Sequence, residues 1–335
     1  MMKTVRATAH SNIALVKYWG KRADAPAELN LPAVGSLSMT LDALWTETFI
    51  EPSATADTFL LDEQLQGGKV AGKVFAHLDR MWARGAGGQR PALRVRSINH
   101  LPTAAGLASS ASGFAALTMA AAGAFELELP SSELASLARM GSGSAARSIF
   151  GGFVRLDRGS APDGSDCVTR PIAEGDHWPL SLVVVQTTRG SKPIGSTEGM
   201  EASRQTSPYY QPWVDTSAAD LDAAQSAIEE RDLSRLGAIV EHSCFKMHAC
   251  MMATVPPILY WKPTTVAVVQ EVWAARAEGL AGYVTIDAGP HVKVLCEAKD
   301  SEALAERLGR VAGVQAVTIC RPGPAAAVTD AEVAA

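Results

Sequence analysis

The 335-residue sequence has no surplus of positive charge: 30 Lys and Arg stand against 35 Asp and Glu, a formal net charge of −5. A broad nucleic-acid footprint needs a basic surface, so that class of function is excluded, although a local basic pocket is not. Cysteine is scarce and without pattern. Cys167, Cys244, Cys250, Cys296 and Cys320 form no Cys-x-x-Cys pair and no metal-ligand spacing, which points to a reducing, cytoplasmic setting. No run of about 18 apolar residues occurs, so no membrane association is expected, and the opening Met-Met-Lys-Thr-Val-Arg lacks the apolar stretch of a secretory signal. Common catalytic signatures are missing as well. No His-Glu-x-x-His occurs, and His242 and His248 are six apart, so Met247-His248 reads as core or site lining rather than metal ligation. No Gly-x-Ser-x-Gly elbow is present and no Gly-x-Gly-x-x-Gly follows a strand, which leaves hydrolase and dinucleotide readings unsupported.

What is present is a packed globular composition, 47% hydrophobic and 19% charged, in a chain long enough for two cores. Patterning predicts strands at 4–9, 36–41, 46–52, 93–99, 151–157, 181–188, 282–289, 291–297 and 314–320. A polar turn is expected at His10–Ser11–Asn12. Helical spacing covers 109–125, 131–140, 217–230, 232–252, 264–278 and 301–312. The mixture lacks regular βαβ alternation, so the fold class is α+β. A Pro- and Gly-bearing polar stretch at 158–179 sets the expected boundary: a first domain over 1–180, a second over 181–325, and a frayed tail over 326–335.

Four segments carry chemistry. In Pro102 to Gly113, small residues let the backbone approach a ligand, and their N–H groups at a helix start favour an anion. No Gly-Lys-Ser/Thr follows, so it is not a Walker loop; a tightly packed helix start is the alternative. Gly141 to Ser148 combines two serines with Arg147, which suits a phosphate or carboxylate, or equally a plain turn with a solvated Arg. Asn12 to Arg22 packs Lys17, Lys21 and Arg22 around Tyr18 and Trp19. On a helical turn Lys17 and Lys21 would share a face and repel unless an anion lay between them; a surface charge run is the alternative, disfavoured by the flanking Tyr18 and Trp19, since aromatics favour burial. Asp287 ends an apolar strand, either as a turn-forming Asp or as a general base; spacing does not choose between these.

Pro102 to Ala111 matches the P-x-x-x-G-L-x-S-S-A signature of the GHMP kinase superfamily. Within it, SNIALVKYWGKR, STEGMEASRQTSPYY, GSGSAARSIFGGFV and TIDAGPHVKVL resemble the diphosphomevalonate decarboxylase family over residues 8 to 297. That resemblance implies a two-domain fold with the active site in the cleft between domains, and conversion of mevalonate 5-diphosphate and ATP to isopentenyl diphosphate, CO₂, ADP and phosphate. It implies that Asp287 orients or deprotonates the 3-hydroxyl. Lys17 would neutralise the transferring phosphoryl group, and Arg147 would hold the substrate carboxylate with help from Asn12. Tyr18, Lys21, Ser142, Ser144 and Ser196 would bind or shape the diphosphate pocket. Pro102, Gly106, Leu107, Ala108, Ser109, Ser110 and Ser112 would bind ATP, with Ser109 and Ser110 near Mg²⁺. A homodimer is implied too. The alternative is a related decarboxylase or 3-hydroxyl kinase acting on mevalonate 5-phosphate or mevalonate; a catalytically silent ligand-binding relative is a third reading. Val34 stands where relatives commonly carry Asn, and residues 53–92 carry no motif that assigns the adenine pocket.

Overall fold

The computed structural model describes residues 3–85, 87–100, 109–188 and 194–330. Two long strands, β1 (Val5–Val16) and β2 (Ser36–Pro52), form the frame of the first sheet. They pair antiparallel from Val5↔Ile50 to Val16↔Leu37, with register shifts between His10 and Asn12 and between Ala14 and Val16. The expected turn at His10–Ser11–Asn12 is therefore a bulge inside one continuous strand. Its polar groups find partners on three elements: His10 Nδ1–H donates to the Leu41 carbonyl of β2, Ser11 Oγ to Ser112 Oγ in the helix that begins at Ser109, and Asn12 Nδ2 to the Ser144 carbonyl in a loop. Likewise the two strands expected at 36–41 and 46–52 are one. Asp42 does not turn the chain, because its N–H and carboxylate both engage the backbone of Arg321.

β3 (Thr58–Leu61), β4 (Gln64–Gln66) and α1 (Gly68–Trp82) fill a stretch that the sequence reading left blank. Yet α1 has a plain signal: Ala71, Val74, Leu78 and Met81 are buried at helical spacing. β5 (Leu93–His100), α2 (Ser109–Ala124), α3 (Ser131–Gly141), a 3₁₀ turn (Ala145–Ile149), β6 (Phe153–Leu156) and β7 (Thr169–Ala173) complete this half. Then follow β8 (Leu180–Gln186), α4 (Ser196–Thr206), α5 (Tyr210–Glu229), α6 (Leu233–Met252) and α7 (Pro263–Ala277). The chain ends with β9 (Tyr283–Ile286), β10 (Val292–Glu297), α8 (Ser301–Gly309), β11 (Ala316–Cys320) and β12 (Ala327–Asp330).

The first sheet runs β12-β1-β2-β5-β3-β4, with β6 and β7 joined through β2; the second runs β11-β8-β10-β9. Every pairing is antiparallel except β3 with β5. Instead of fraying, residues 327–330 return to the first sheet and pair with β1 from Val5↔Asp330 to Thr8↔Ala327. They cover what would otherwise be an open strand edge.

Alanines 111, 115, 116, 120 and 121 of α2 are fully buried, so this helix lies close against the sheet and its neighbours. A second core joins the halves: Leu15, Leu37, Met39 and Phe153 pack with Leu182, Val184 and Leu295 of the other sheet and with Leu221, Ile228, Leu236 and Val240 of α5 and α6. Each such side chain contributes about 1.5–3 kcal/mol through burial, so the joint is an interior rather than a loose contact. The C-terminal ends of β1 and β9 come together at this joint, where Thr285 Oγ1 reaches the Ala14 carbonyl.

Candidate active site

Asp287 follows the last residue of β9 and lies between two lysines from different elements. Lys17, just past β1, donates from Nζ to Oδ1 at 2.6 Å; Lys293, in β10, donates to Oδ2 at 3.0 Å. Both lysines are nearly inaccessible, at 1% and 4% exposure, whereas the Asp287 side chain keeps 34%. Burial by itself would push the Asp287 carboxyl up, but the two ammonium groups outweigh it and hold the group well below the usual carboxylate range. Asp287 is a strand-end carboxylate presented to a cleft, and at neutral pH it is ionised.

Its position is fixed by α6. The Ile286 N–H donates to Cys244 Sγ, and its carbonyl accepts from His248 Nε2 at 3.1 Å. Burial pushes the His248 imidazole down to about 3, so it is neutral and serves as a donor to backbone, as expected of a lining histidine. Lys17 is anchored through its own N–H to Ser243 Oγ, also on α6.

Arg147 lies in the 3₁₀ turn after α3 and is 2% exposed. Its Nε donates to Asn12 Oδ1 at 3.2 Å and its Nη1 to Ser36 Oγ at 2.7 Å, and its guanidinium stands 5.8 Å from the Tyr18 ring centre. Among the described residues no carboxylate lies within ion-pair distance of it. Burial pushes the guanidinium down to about 10, still charged at pH 7. Asn12 is oriented by Nδ2 bonds to the Ser144 carbonyl and Ser148 Oγ. The Tyr18 hydroxyl is buried, without a partner among the described residues, and pushed up to about 12 by burial. It sits over Gly143, where a Cβ would come within 2.3 Å, so only glycine fits this loop. Ser142 Oγ approaches Ser144 Oγ and Ser110 Oγ, each at 3.4 Å, which brings the 141–148 loop to the start of α2.

Lys17 and Lys21 do not share a helical face. The chain from Lys17 to Gly20 is irregular, and Lys21 bridges Pro32 as an extended residue, because α4, α5 and α6 grip this segment from outside. Trp213 Nε1 donates to the Trp19 carbonyl, and Tyr210 lies against Gly20, whose φ of +106° suits glycine. Burial pushes the Lys21 ammonium down, and nearby Lys73 of α1 pushes it the same way against Glu201. Ser196 is the first residue of α4. Val34 is buried with Trp19, Met200 and Trp213, where packing takes an apolar side chain.

Of the expected nucleotide loop, Pro102, Gly106, Leu107 and Ala108 lie outside the described residues. Ser109 begins α2 and Ser110 is exposed beside Ser142. Ser112 faces the other way: fully buried, it bonds Ser11 and Thr46, so its hydroxyl fastens α2 to the sheet and is not open to a nucleotide. Sequence reasoning missed Lys293, Ser36, Tyr210 and Lys73. A lysine between Val292 and Val294 in an otherwise apolar strand is itself a signal, since lysine is rarely buried without a paired charge. No group of three or more His, Cys, Asp or Glu able to hold a metal occurs among the described residues, and no helix there is long and apolar enough to cross a membrane.

Comparison with known proteins agrees with this geometry. Residues 9–169 match the diphosphomevalonate decarboxylase-like N-terminal domain, and residues 181–322 match the mevalonate 5-diphosphate decarboxylase C-terminal domain. Diphosphomevalonate decarboxylase mvd1 of Aspergillus fumigatus is 35% identical over 330 residues, covering 91% of this chain and 80% of that one. The crystal structure of mevalonate diphosphate decarboxylase from Staphylococcus aureus superposes with a TM-score of 0.90 at 35% identity, covering 98% of this chain and 99% of the other. A structure described as MDDEF in complex with MVAPP, AMPPCP and magnesium gives 0.89 at 38% identity, covering 97% and 98%. The chain belongs to the diphosphomevalonate decarboxylase family.

Proposed function

We propose that this chain is an ATP-dependent carboxy-lyase that converts mevalonate 5-diphosphate to isopentenyl diphosphate, CO₂, ADP and phosphate, a step of isoprenoid biosynthesis. The observation that carries this reading is the pairing of a doubly cation-bonded carboxylate, Asp287, with a buried guanidinium, Arg147, that has no carboxylate partner among the described residues. One end of the site suits a hydroxyl undergoing phosphorylation and the other suits a substrate carboxylate.

Asp287 accepts the hydrogen bond of the tertiary 3-hydroxyl and orients its oxygen toward the γ-phosphorus of ATP. With both its oxygens on ammonium groups it is a weak base, so it takes the proton late, once bonding to phosphorus has made the hydroxyl acidic. Lys17 balances charge on the transferring phosphoryl group. The bond from carbon 3 to oxygen then breaks, and its electron pair leaves with phosphate. The bond to the carboxyl carbon breaks next, its electrons form the carbon–carbon double bond, and CO₂ departs. Arg147, with Asn12, holds the carboxylate in line. Tyr18, Lys21, Ser142, Ser144 and Ser196 surround the diphosphate.

The start of α2 with Ser109 and Ser110 suits the ATP phosphates. A hard divalent cation held there by the nucleotide phosphates would take oxygen ligands, and the exposed Ser110 hydroxyl is of that kind. Mg²⁺ in that place supplies charge neutralisation for the phosphates. We assign residues 1–180 to the ATP-binding domain and 181–325 to the second, with β12 crossing back; the separate sheets support this split. Five buried free thiols support a cytoplasmic enzyme. The homodimer is carried by the family resemblance.

The test is a coupled assay with ATP, Mg²⁺ and mevalonate 5-diphosphate. CO₂ and ADP are expected in equal amounts, with a higher kcat/KM than for mevalonate 5-phosphate. ADP without CO₂, or preference for the monophosphate, would overturn the assignment.

A further inference from the structure

Asp287 needs one cation for neutrality and has two. Lys17 takes Oδ1 and Lys293 takes Oδ2, and both lysines are almost wholly buried. Folding alone does not favour a second buried ammonium, which loses hydration without gaining a partner of its own. Lys293 is nonetheless set by its backbone: β10 is paired on both sides, with β8 at Lys293↔Val184 and with β9 at Lys293↔Thr285. Its only other polar contact among the described residues is the His291 carbonyl at 3.4 Å. Lys17 sits on a different element, at the end of β1, where the chain leaves the sheet.

The two lysines therefore have different duties. Lys17 leads into the irregular Lys17–Gly20 segment, and it is the ammonium that the reading above sends to the transferring phosphoryl group. If it were the sole partner of Asp287, each turn toward phosphate would leave a carboxylate unpaired in a desolvated site, free to rotate or to take up a proton. We propose that Lys293 is the positioning residue of the reaction: by holding Oδ2, it keeps the Asp287 carboxylate paired and aimed at the 3-hydroxyl while Lys17 moves from Oδ1 to the phosphoryl group. This inference rests on the functional reading above and deepens it. The charged and titratable groups facing Asp287 are Lys17 from β1, Lys293 from β10, Arg147 from the 3₁₀ turn, and His248 and Cys244 from α6. His248 is neutral through burial and the Cys244 thiol is pushed up to about 11, so the lysines and Arg147 set the local charge near pH 7.

Lys293→Met and Lys293→Gln remove the charge at similar length; Lys293→Arg keeps it. In the two neutral variants, kcat should fall about 10²-fold while KM for both substrates stays within about threefold, because a positioning contact acts on the reacting geometry rather than on binding. Losing a cation raises the Asp287 pKa. The ionised form is the active one, so the acid limb of the kcat/KM profile should move to higher pH by about one unit. Lys293→Arg should leave that limb in place. In an Asp287→Asn background, followed by single-turnover measurements, Lys293→Met should cost less than about threefold more, since it acts through the missing carboxylate.

An unmoved acid limb, a loss confined to KM, or a full additive loss on top of Asp287→Asn would overturn the proposal. If both neutral variants fail to fold while Lys293→Arg is fully active with an unaltered profile, Lys293 serves stability alone and the proposal again falls. A parent enzyme that releases no CO₂ would remove the functional reading and this inference with it; a competent parent with indifferent variants removes only the inference.

Discussion

Arg147 is a buried cation whose hydrogen-bond partners, Asn12 and Ser36, are both neutral. Such a group costs folding energy until an anion arrives, which is how a site stores affinity for a carboxylate. Arg147→Met should therefore reduce kcat/KM about 10²–10³-fold, the size of a lost charge-stabilising contact. The unliganded protein should lose at most a few degrees of Tm, because the variant no longer desolvates an unpaired charge. Steady-state kinetics beside thermal denaturation checks this; a large Tm loss with proportionate loss of activity would make Arg147 a structural residue. Lys and Arg are not interchangeable here, since one guanidinium reaches Asn12 and Ser36 together, so Arg147→Lys should resemble the Met variant. Arg147 and Asp287 could be singled out in the sequence because charged residues stand out beside Gly and Ser loops. Lys293 could not be assigned a purpose, because its partner lies across a hairpin whose register the sequence does not give.

The element with the most unexpected role is β12. Following an alanine run near the chain end, residues 327–330 read as a frayed tail, yet they pair with the first four residues of β1. The same strand β1 carries Asn12 and leads into Lys17, so its outer edge matters to the site. Ending the chain at Ala326 should expose that edge and cost on the order of 2 kcal/mol, lowering Tm by about 2–4 °C. Accelerated amide exchange at Val5–Thr8, measured against the full chain, should accompany it. Unchanged protection there would mean that β12 contributes nothing in solution. Helix α1 is the reverse case: its apolar spacing is legible at Ala71, Val74, Leu78 and Met81, although the stretch carries no recognisable motif. Boundaries such as those of β6 and β8 were readable because the strands are apolar and flanked by Gly or Pro.

At the scale of the molecule, two buried histidines tie stability to pH. His77 donates Nε2–H to Thr118 Oγ1, whose own hydrogen goes to the Phe114 carbonyl, and its Nδ1 has no partner among the described residues. Burial pushes both His77 and His248 from 6.5 down to about 3. The unfolded chain thus binds protons on these rings below about pH 6.5 while the folded chain does not, so their contribution is complete above pH 6.5 and is lost progressively as pH falls toward 3. The urea midpoint should fall as pH drops across that window, and His77→Gln should flatten the dependence. A variant with the parent's slope would show that the ring is already protonated in the folded state. The shared core of Leu15, Met39, Phe153, Leu182, Val184 and Leu221 makes the two sheets unfold together, which predicts one transition for probes in either half.

By itself the sequence determined the α+β character and most of the strands and helices, and it singled out Lys17, Arg147 and Asp287 as candidate charged residues of the site while leaving Lys293 unmarked. Periodicity and loop chemistry are local properties, and family motifs are written in consecutive residues. Only the tertiary structure decided that Asp287 has two cationic partners, that Arg147 has no carboxylate partner among the described residues, that Ser112 faces inward, and that residues 327–330 close the first sheet. Lys293 is six residues from Asp287 but meets it only across a hairpin, and the other contacts join residues 66 to 325 positions apart in a register that hydrophobic burial of both sheets selects, so no local pattern encodes them.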